Sequence, residues 1–494
     1  MKKVLMTVLS FMLTASLLGC SNNSNTGNNT EASATASSES TENNAGSSTL
    51  PTKDSITVNE TYTSATDGEH AITADAETAS FANVKVEKTG DSSGDEADFY
   101  GENAAVFATN GATLTLDSIV VETNGTHANG VFSYGEGTTV NISNSVIETT
   151  GNCSGGIMTT GGGTMNATNL NIHTTGNSSA AIRSDRGGGT VNVSEGSYVT
   201  DGKGSPAIYS TADITVSDAY LESTSSQGVV VEGQNSVTLN NVELVANNVS
   251  KNSDKSEWYQ AVMIYQSMSG DADEGQASFA MKAGSLLNKN GDIFFVNNTV
   301  ATINLENVSI TNEDTEGYLL RAAAAGWGSE GSNGGHVTMN LTGQTAEGDM
   351  IVDDVSSLNL YLKSGSSYTG AVNEANTEGQ IYVEITDGSK WTLTADSYIT
   401  SLTCTADSID LNGHKLYVNG VEYTEGSAST GEAIVVEISS SNHGDRPDMP
   451  QGEKPSGDMP SGNPGDGQEP PAKPDGQPGN GQEPPAKPGE ANNN

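Results

Sequence analysis

The chain has 494 residues, 34% of them hydrophobic and 5% aromatic, and a formal net charge of -42 at pH 7. That excess of carboxylates excludes nucleic acid and anionic lipid headgroups as partners, because phosphate binding needs clustered Lys and Arg. Divalent cations and neutral ligands such as glycans remain compatible with it, and acidity alone also keeps an exposed secreted protein in solution.

In chain order, the first element is a targeting segment. Lys2 and Lys3 precede an apolar stretch from Val4 to Leu18 that is too short to span a bilayer. Leu17-Leu18-Gly19-Cys20, followed by polar Ser21-Asn22-Asn23, resembles a bacterial lipobox. The resemblance implies a signal peptide over residues 1–19, cleavage before Cys20 and a diacylglyceryl group on its sulfur. Two acyl chains anchor stably where one does not. The expected location is therefore extracytoplasmic, lipid-anchored to the bacterial cell membrane or cell surface, with the membrane met through the anchor only. Residues 20–52 are rich in Ser, Thr, Asn, Ala and Gly and read as a flexible linker.

Residues 53–424 are patterned as strand and turn throughout. From Gly101 to Asn248 the sequence repeats about every 25 residues, and each repeat carries three short β-patterned runs. The first runs place Val106, Val131, Ile157, Ile182, Ile208 and Val229 in one column. The second place Leu114/Leu116, Val140/Ile142, Met165/Ala167, Val191/Val193, Ile214/Val216 and Val237/Leu239. The third place Val121, Ile147, Ile172, Tyr198, Leu221 and Leu244. Such a period marks a solenoid whose units bury their apolar faces only against their neighbours. The pattern predicts an all-β parallel β-helix with three strands per coil, right-handed by the usual crossover preference. The period loosens after Asn248, where Ile303/Leu305, Met339/Leu341, Leu358/Leu360 and Val383/Ile385 continue it. About fifteen coils are expected, on the order of 70 Å of stacked strands, with caps over the open ends. Cys153 and Cys404 fall in distant repeats, so no disulfide framework is expected, and Cys404 reads as a small core residue. Residues 425–494 read as a low-complexity tail. Twelve of the fourteen prolines lie between Pro447 and Pro488, which favours an extended spacer.

The runs Ser179–Gly189, Ser205–Ile214 and Gly388–Thr394 are similar to those of the pectate-lyase-like β-helix superfamily, and in detail to its adhesin-like, carbohydrate-binding surface lipoproteins. The resemblance covers roughly residues 55 to 424 and implies fold more than activity, since lyases, glycosidases and adhesins share it. The polygalacturonase pattern is absent except for Asp353-Asp354, and adjacent strand residues point to opposite faces. Only four arginines occur, at 183, 186, 321 and 446, and His336 lacks a companion ligand at metal spacing. No catalytic residue is assigned.

A period of two places the residues after the first column outward. These are Phe107, Phe132, Met158, Arg183 and Tyr209, with Tyr134, Asp185 and Glu232 two positions further along. They form an expected ligand strip for a polysaccharide or a host or cell-surface glycan, unless a loop or residues 54–90 cover it. Arg183, Asp185 and Arg186 either engage an acidic sugar or order a turn internally. Two acidic loops are calcium candidates, one with Asp91, Asp95 and Asp98, the other with Asp271, Asp273 and Glu274; solvated loops are the alternative. The leading expectation is a non-catalytic adhesin or polysaccharide-binding protein. A polysaccharide lyase or glycoside hydrolase and a structural surface spacer are the alternatives.

Overall fold

A computed structural model describes residues 49–251, 255–267 and 269–438. Residues 1–19, expected to be a signal peptide, Cys20 and the prolines from Pro447 onward lie outside them. Within them the three runs per repeat become three parallel ladders. The first is an eleven-stranded sheet running from Ile72–Asp75 through Val106–Thr109 and Val131–Tyr134 to Met350–Val352. The second and third share one nineteen-stranded sheet that turns a corner inside each coil. The register follows the repeat: Val106, Val131, Ile157, Ile182, Ile208 and Val229 pair in succession. So do Val121, Ile147, Ile172, Tyr198, Leu221 and Leu244 in the third ladder. The protein is a parallel β-helix.

In the later coils the alignment differs from the sequence reading. Met339 and Leu341 pair with Leu360 and Leu362, not with Leu358 and Leu360. A slip of two residues keeps every side chain on its face, so the apolar pattern by itself cannot detect it.

Two backbone devices make the corners. Between the second and third ladders a single left-handed residue bends the chain, at Asn83, Ser118, Asn144, Asn169, Glu195, Asp218, Asn241, Ala283 and Asn307. Asn tolerates that conformation best of the non-glycine residues, and its amide can bond to its stacked neighbour. Asn169 Nδ2 donates to Asn144 Oδ1 at 3.1 Å, and Asn241 Nδ2 to Asp218 Oδ1 at 2.8 Å. After the third ladder, Gly125, Gly151, Gly176 and Gly202 stack directly. A Cβ on Gly151 would sit 1.9 Å from the Gly125 carbonyl oxygen, and one on Gly176 1.8 Å from that of Gly151. Only glycine fits that column.

One continuous apolar core runs inside the coils from Ile72 to Leu416. Beside it Thr149, Thr174 and Thr200 point inward, and their hydroxyls donate to the carbonyls of Ser154, Ser179 and Ser205 at 2.5, 2.5 and 2.6 Å. Buried hydroxyls so satisfied avoid the desolvation penalty. Larger rings fill the final coils, where Trp391 stacks on Tyr368 and donates Nε1–H to Gly370 at 2.9 Å. The C-terminal end closes by an antiparallel turn, Leu416–Val418 on Val421–Glu422. Cys404 is buried and free, its Sγ 3.5 Å from the Ser427 carbonyl.

Candidate functional site

The three ladders present three outer faces that differ sharply. The first is the predicted ligand strip. Its residues do point away from the main core, but the strip is covered, which corrects the expectation of an exposed surface. Phe132 and Met158 are fully buried, and Arg183, Asp185 and Tyr209 nearly so, at 3, 3 and 4% exposure. The cover is not residues 54–90, of which His70 alone stacks on the strip, 4.5 Å from the Phe107 ring. It is a five-residue helix, Asp95–Phe99, with the chain that follows it. Ala104 packs on Phe132 and Met158, flanked by half-buried Phe107 and Tyr134. Tyr100 meets Tyr134 edge-on at 5.7 Å, and Thr160 Oγ1 donates to the Phe99 carbonyl at 2.6 Å. Further along, Tyr209 and Val230 bury with Met263, Tyr265 and Phe295 beneath Trp327, while Trp258 meets Phe295 at 5.5 Å. A helix this short leaves no periodic signal in the sequence.

The charged residues of the strip turn inward on one another. Arg183 Nη2 donates to Asp185 Oδ2 at 2.8 Å. Burial pushes the Asp185 carboxyl up to about 7, against the pull of Arg183. Glu232 is also raised by burial and accepts from the Tyr209 and Tyr265 hydroxyls. Arg186 joins the two acidic loops: Nε donates to Asp271 at 2.6 Å, Nη1 to Asp95 at 3.0 Å, and its guanidinium lies 3.6 Å from the Phe99 ring centre. Of the expected calcium ligands, Asp95 and Asp271 are thus committed to an arginine. Asp91 accepts the Thr126 N–H at 2.7 Å, and Asp273 is exposed. The two loops therefore do not assemble the oxygen cage that calcium takes.

The structure instead brings Asp98 3.1 Å from His127, beside the sulfur of Cys153, which is engaged in a disulfide and so offers no thiolate to a metal. His127 and Cys153 are successive left-handed turn residues (φ 57° and 59°), so coil stacking makes them neighbours. Sequence reasoning missed His127 because the register alone relates it to Cys153, while Asp98 comes from the covering helix. Elsewhere Asp353 accepts from the Ala324 N–H of the preceding coil at 2.7 Å and from the Val355 N–H of its own turn at 3.3 Å, and His336 Nδ1 lies 3.0 Å from Ser357 Oγ.

The outer face of the third ladder is charged and partly occupied. Glu87, Glu122 and Glu148 stack in register, and Lys85 and Lys53 bridge them. Residues 49–53 lie across this face, with Asn171 Nδ2 donating to the Pro51 carbonyl at 2.9 Å.

The second ladder is different. Two of its outward columns run straight over ten coils, and a third beside them holds Asp117, Lys282 and Glu306, the last two paired at 2.9 Å. One runs Thr78, Thr113, Thr139, Thr164, Thr190, Asp213, Ser236, Ser278, Thr302, Thr338. The other runs Ser80, Thr115, Asn141, Asn166, Asn192, Thr215, Thr238, Ala280, Asn304, Asn340. No residue of these two columns is buried, and Asp213 alone among them ionises. In a chain with 62 acidic residues this is a strong departure from the average surface. Rungs repeat about every 4.8 Å and the columns lie about 6.8 Å apart. Asn192 Nδ2 donates to Asn166 Oδ1 at 3.0 Å and Asn166 Nδ2 to Asn141 Oδ1 at 2.9 Å. These amides are held in one orientation, and each keeps a second N–H for a ligand.

Comparison with protein-family models, with curated proteins and with solved structures yields no match to this chain.

Proposed function

We propose that this chain is a bacterial cell-surface lipoprotein that binds a neutral polysaccharide along the outer face of its second ladder, without catalysis. The two columns of Thr, Ser and Asn from Thr78 to Asn340, in which Asp213 is the one acidic member, carry the reading. A flat lattice of hydroxyls and amides matches the hydroxyls of an extended glycan, and a neutral polymer avoids the repulsion that the remaining surface imposes on anions. Many weak, regularly spaced contacts give avidity to a polymer and little to a monomer. The covered strip takes no part. The pectate-lyase-like ancestry, the signal peptide over residues 1–19, lipidation at Cys20 and exposure on the cell surface belong to the same proposal. They fit the acidic composition and the linker that follows Cys20.

The test is sedimentation of the chain with insoluble cellulose, chitin and mannan, comparing the wild type with the Thr139→Val/Thr164→Val/Thr190→Val variant. Valine keeps shape and strand preference and removes three hydroxyls, which weakens polymer binding about tenfold or more. Failure of the wild type to bind any of these polymers, or undiminished binding by the variant, defeats the reading.

A further inference from the structure

The C-terminal coils hold a cleft where the first ladder continues past Met350–Val352 through Val372 to Tyr398. Its volume is about 370 Å³, and Asn376, Thr377, Glu378, Tyr398, Thr400 and Tyr417 line it. One wall is a tyrosine pair. Tyr398 and Tyr417 are register partners in the adjacent strands Ser397–Ile399 and Leu416–Val418, with ring centres 5.0 Å apart and planes 6° from parallel. The rings are half-exposed beside buried Ser397, Ile399 and Leu416, so their stacking is fixed by the strands beneath. The other wall is the turn around Asn376. Left-handed Asn373 and Asn376 shape it, and it is tied by Asn373 Nδ2 to the Thr377 carbonyl and Asn376 N–H to the Asn373 carbonyl, both at 2.8 Å. Both walls are thus built before any ligand arrives.

The chemistry of the lining is selective. Aromatic carbon gives a flat apolar wall, and Asn376, Thr377 and Thr400 add amide and hydroxyl groups. No Lys or Arg lines the cleft, and Glu378 is its sole carboxylate. An anionic ligand would meet that carboxylate, and Lys415, 6.0 Å over the Tyr417 ring, is already paired with Glu422 at 3.0 Å. Adjacent hydroxyls of a sugar can instead donate to its two oxygens, as strong charge-assisted hydrogen bonds.

We propose that this cleft is a binding site for a single neutral pyranose unit, such as the end of a glycan chain. The site is independent of the Thr, Ser and Asn columns of the second ladder, which engage a polymer along their length. Residues bounding the cleft lie more than thirty positions beyond Asn340, the last member of the columns.

The experiment is calorimetric and saturation-transfer NMR titration of the full chain with methyl glycosides of glucose, galactose, mannose and N-acetylglucosamine, with glucuronate as the anionic control. At least one methyl glycoside binds and glucuronate binds at least tenfold more weakly. Glu378→Gln weakens the glycoside about tenfold, and Tyr417→Ala abolishes its binding. Because Tyr417 also supports the terminal turn, the exposed Glu378 carries the decision. The Thr139→Val/Thr164→Val/Thr190→Val variant binds the glycoside as the wild type does, so polymer binding and cleft binding fail separately. Absence of binding by every methyl glycoside, equal binding of glucuronate, or indifference to Glu378→Gln overturns the proposal.

Discussion

Replacing Phe132 by alanine tests the covered face most directly. Phe132 is fully buried, with Met158 and Ala104 against it and the Phe107 ring centre 6.0 Å away. The chain passes so close above that a Cβ on Gly101 would come 3.0 Å from the Phe132 ring and 2.5 Å from that of Phe107. Deleting a fully enclosed phenyl ring costs about 3–5 kcal/mol through lost burial and the cavity left behind. An exposed aromatic waiting for a ligand would cost no more than ~0.5 kcal/mol. The two pictures therefore differ by several kcal/mol, well outside experimental error. Urea unfolding followed by circular dichroism gives the global loss. Hydrogen exchange of the Val131–Tyr134 and Ile157–Thr160 amides gives the local one, which matters because a solenoid need not unfold in a single step. The variant should also cleave faster within Asp95–Ala104 under limited proteolysis. A loss under about 1 kcal/mol with unchanged protection in both strands would refute the second core.

The remaining predictions concern charge and close approach. Arg183→Met leaves Asp185 buried without its partner and costs about 3–5 kcal/mol at pH 8. The folded Asp185 carboxyl, at about 7, stands above its unfolded value of about 3.9. The folded state thus binds the extra proton, and the group's contribution is fully present below about pH 4 and is lost as pH rises through about 7. The variant should accordingly lose less at pH 5 than at pH 8, and equal losses in urea titrations at both would contradict this. Arg186→Gln removes the contact that joins Asp95, Asp271 and the Phe99 ring, so proteolysis within 95–104 should accelerate severalfold while the strand content stays the same. An unchanged rate would show that the arginine does not hold the cover. Gly151→Ala forces a Cβ to 1.9 Å from a stacked carbonyl and should cost at least ~2 kcal/mol in the same unfolding assay, whereas a neutral outcome would deny direct stacking of that column.

The repeat made most of the fold legible. Once Val106, Leu114 and Val121 are indexed against their counterparts 25 or so residues on, the register of three ladders follows, because a period of two allows only one face to be apolar. The same logic correctly sent Phe132, Met158, Arg183 and Tyr209 outward from the main core. It stops at the next step. Outward leaves exposed and covered both open, and neither the five-residue Asp95–Phe99 helix nor the segment bearing Trp327 that bury these residues has a period to announce it. The charged members of the strip gave a partial warning, since Arg183 and Asp185 lie two residues apart on one face and satisfy each other there.

The sequence by itself determined the parallel β-helix, its coil register as far as Leu244 and the separation of inward from outward side chains, because each depends only on local alternation repeated at a fixed period; where the period loosens, at Met339 and Leu341, the register lay two residues from the pattern. The tertiary structure alone decided which outer face meets solvent. Covering segments reach the first and third ladders from far along the chain, as Phe99 reaches Thr160 and Pro51 reaches Asn171, and such long-range contacts have no period to betray them. The Thr, Ser and Asn columns of the second ladder, interrupted by Asp213 and Ala280, stay out of the core from Thr78 to Asn340, and a distant segment meets this ladder beyond them, where Asn359 bonds to Ile434.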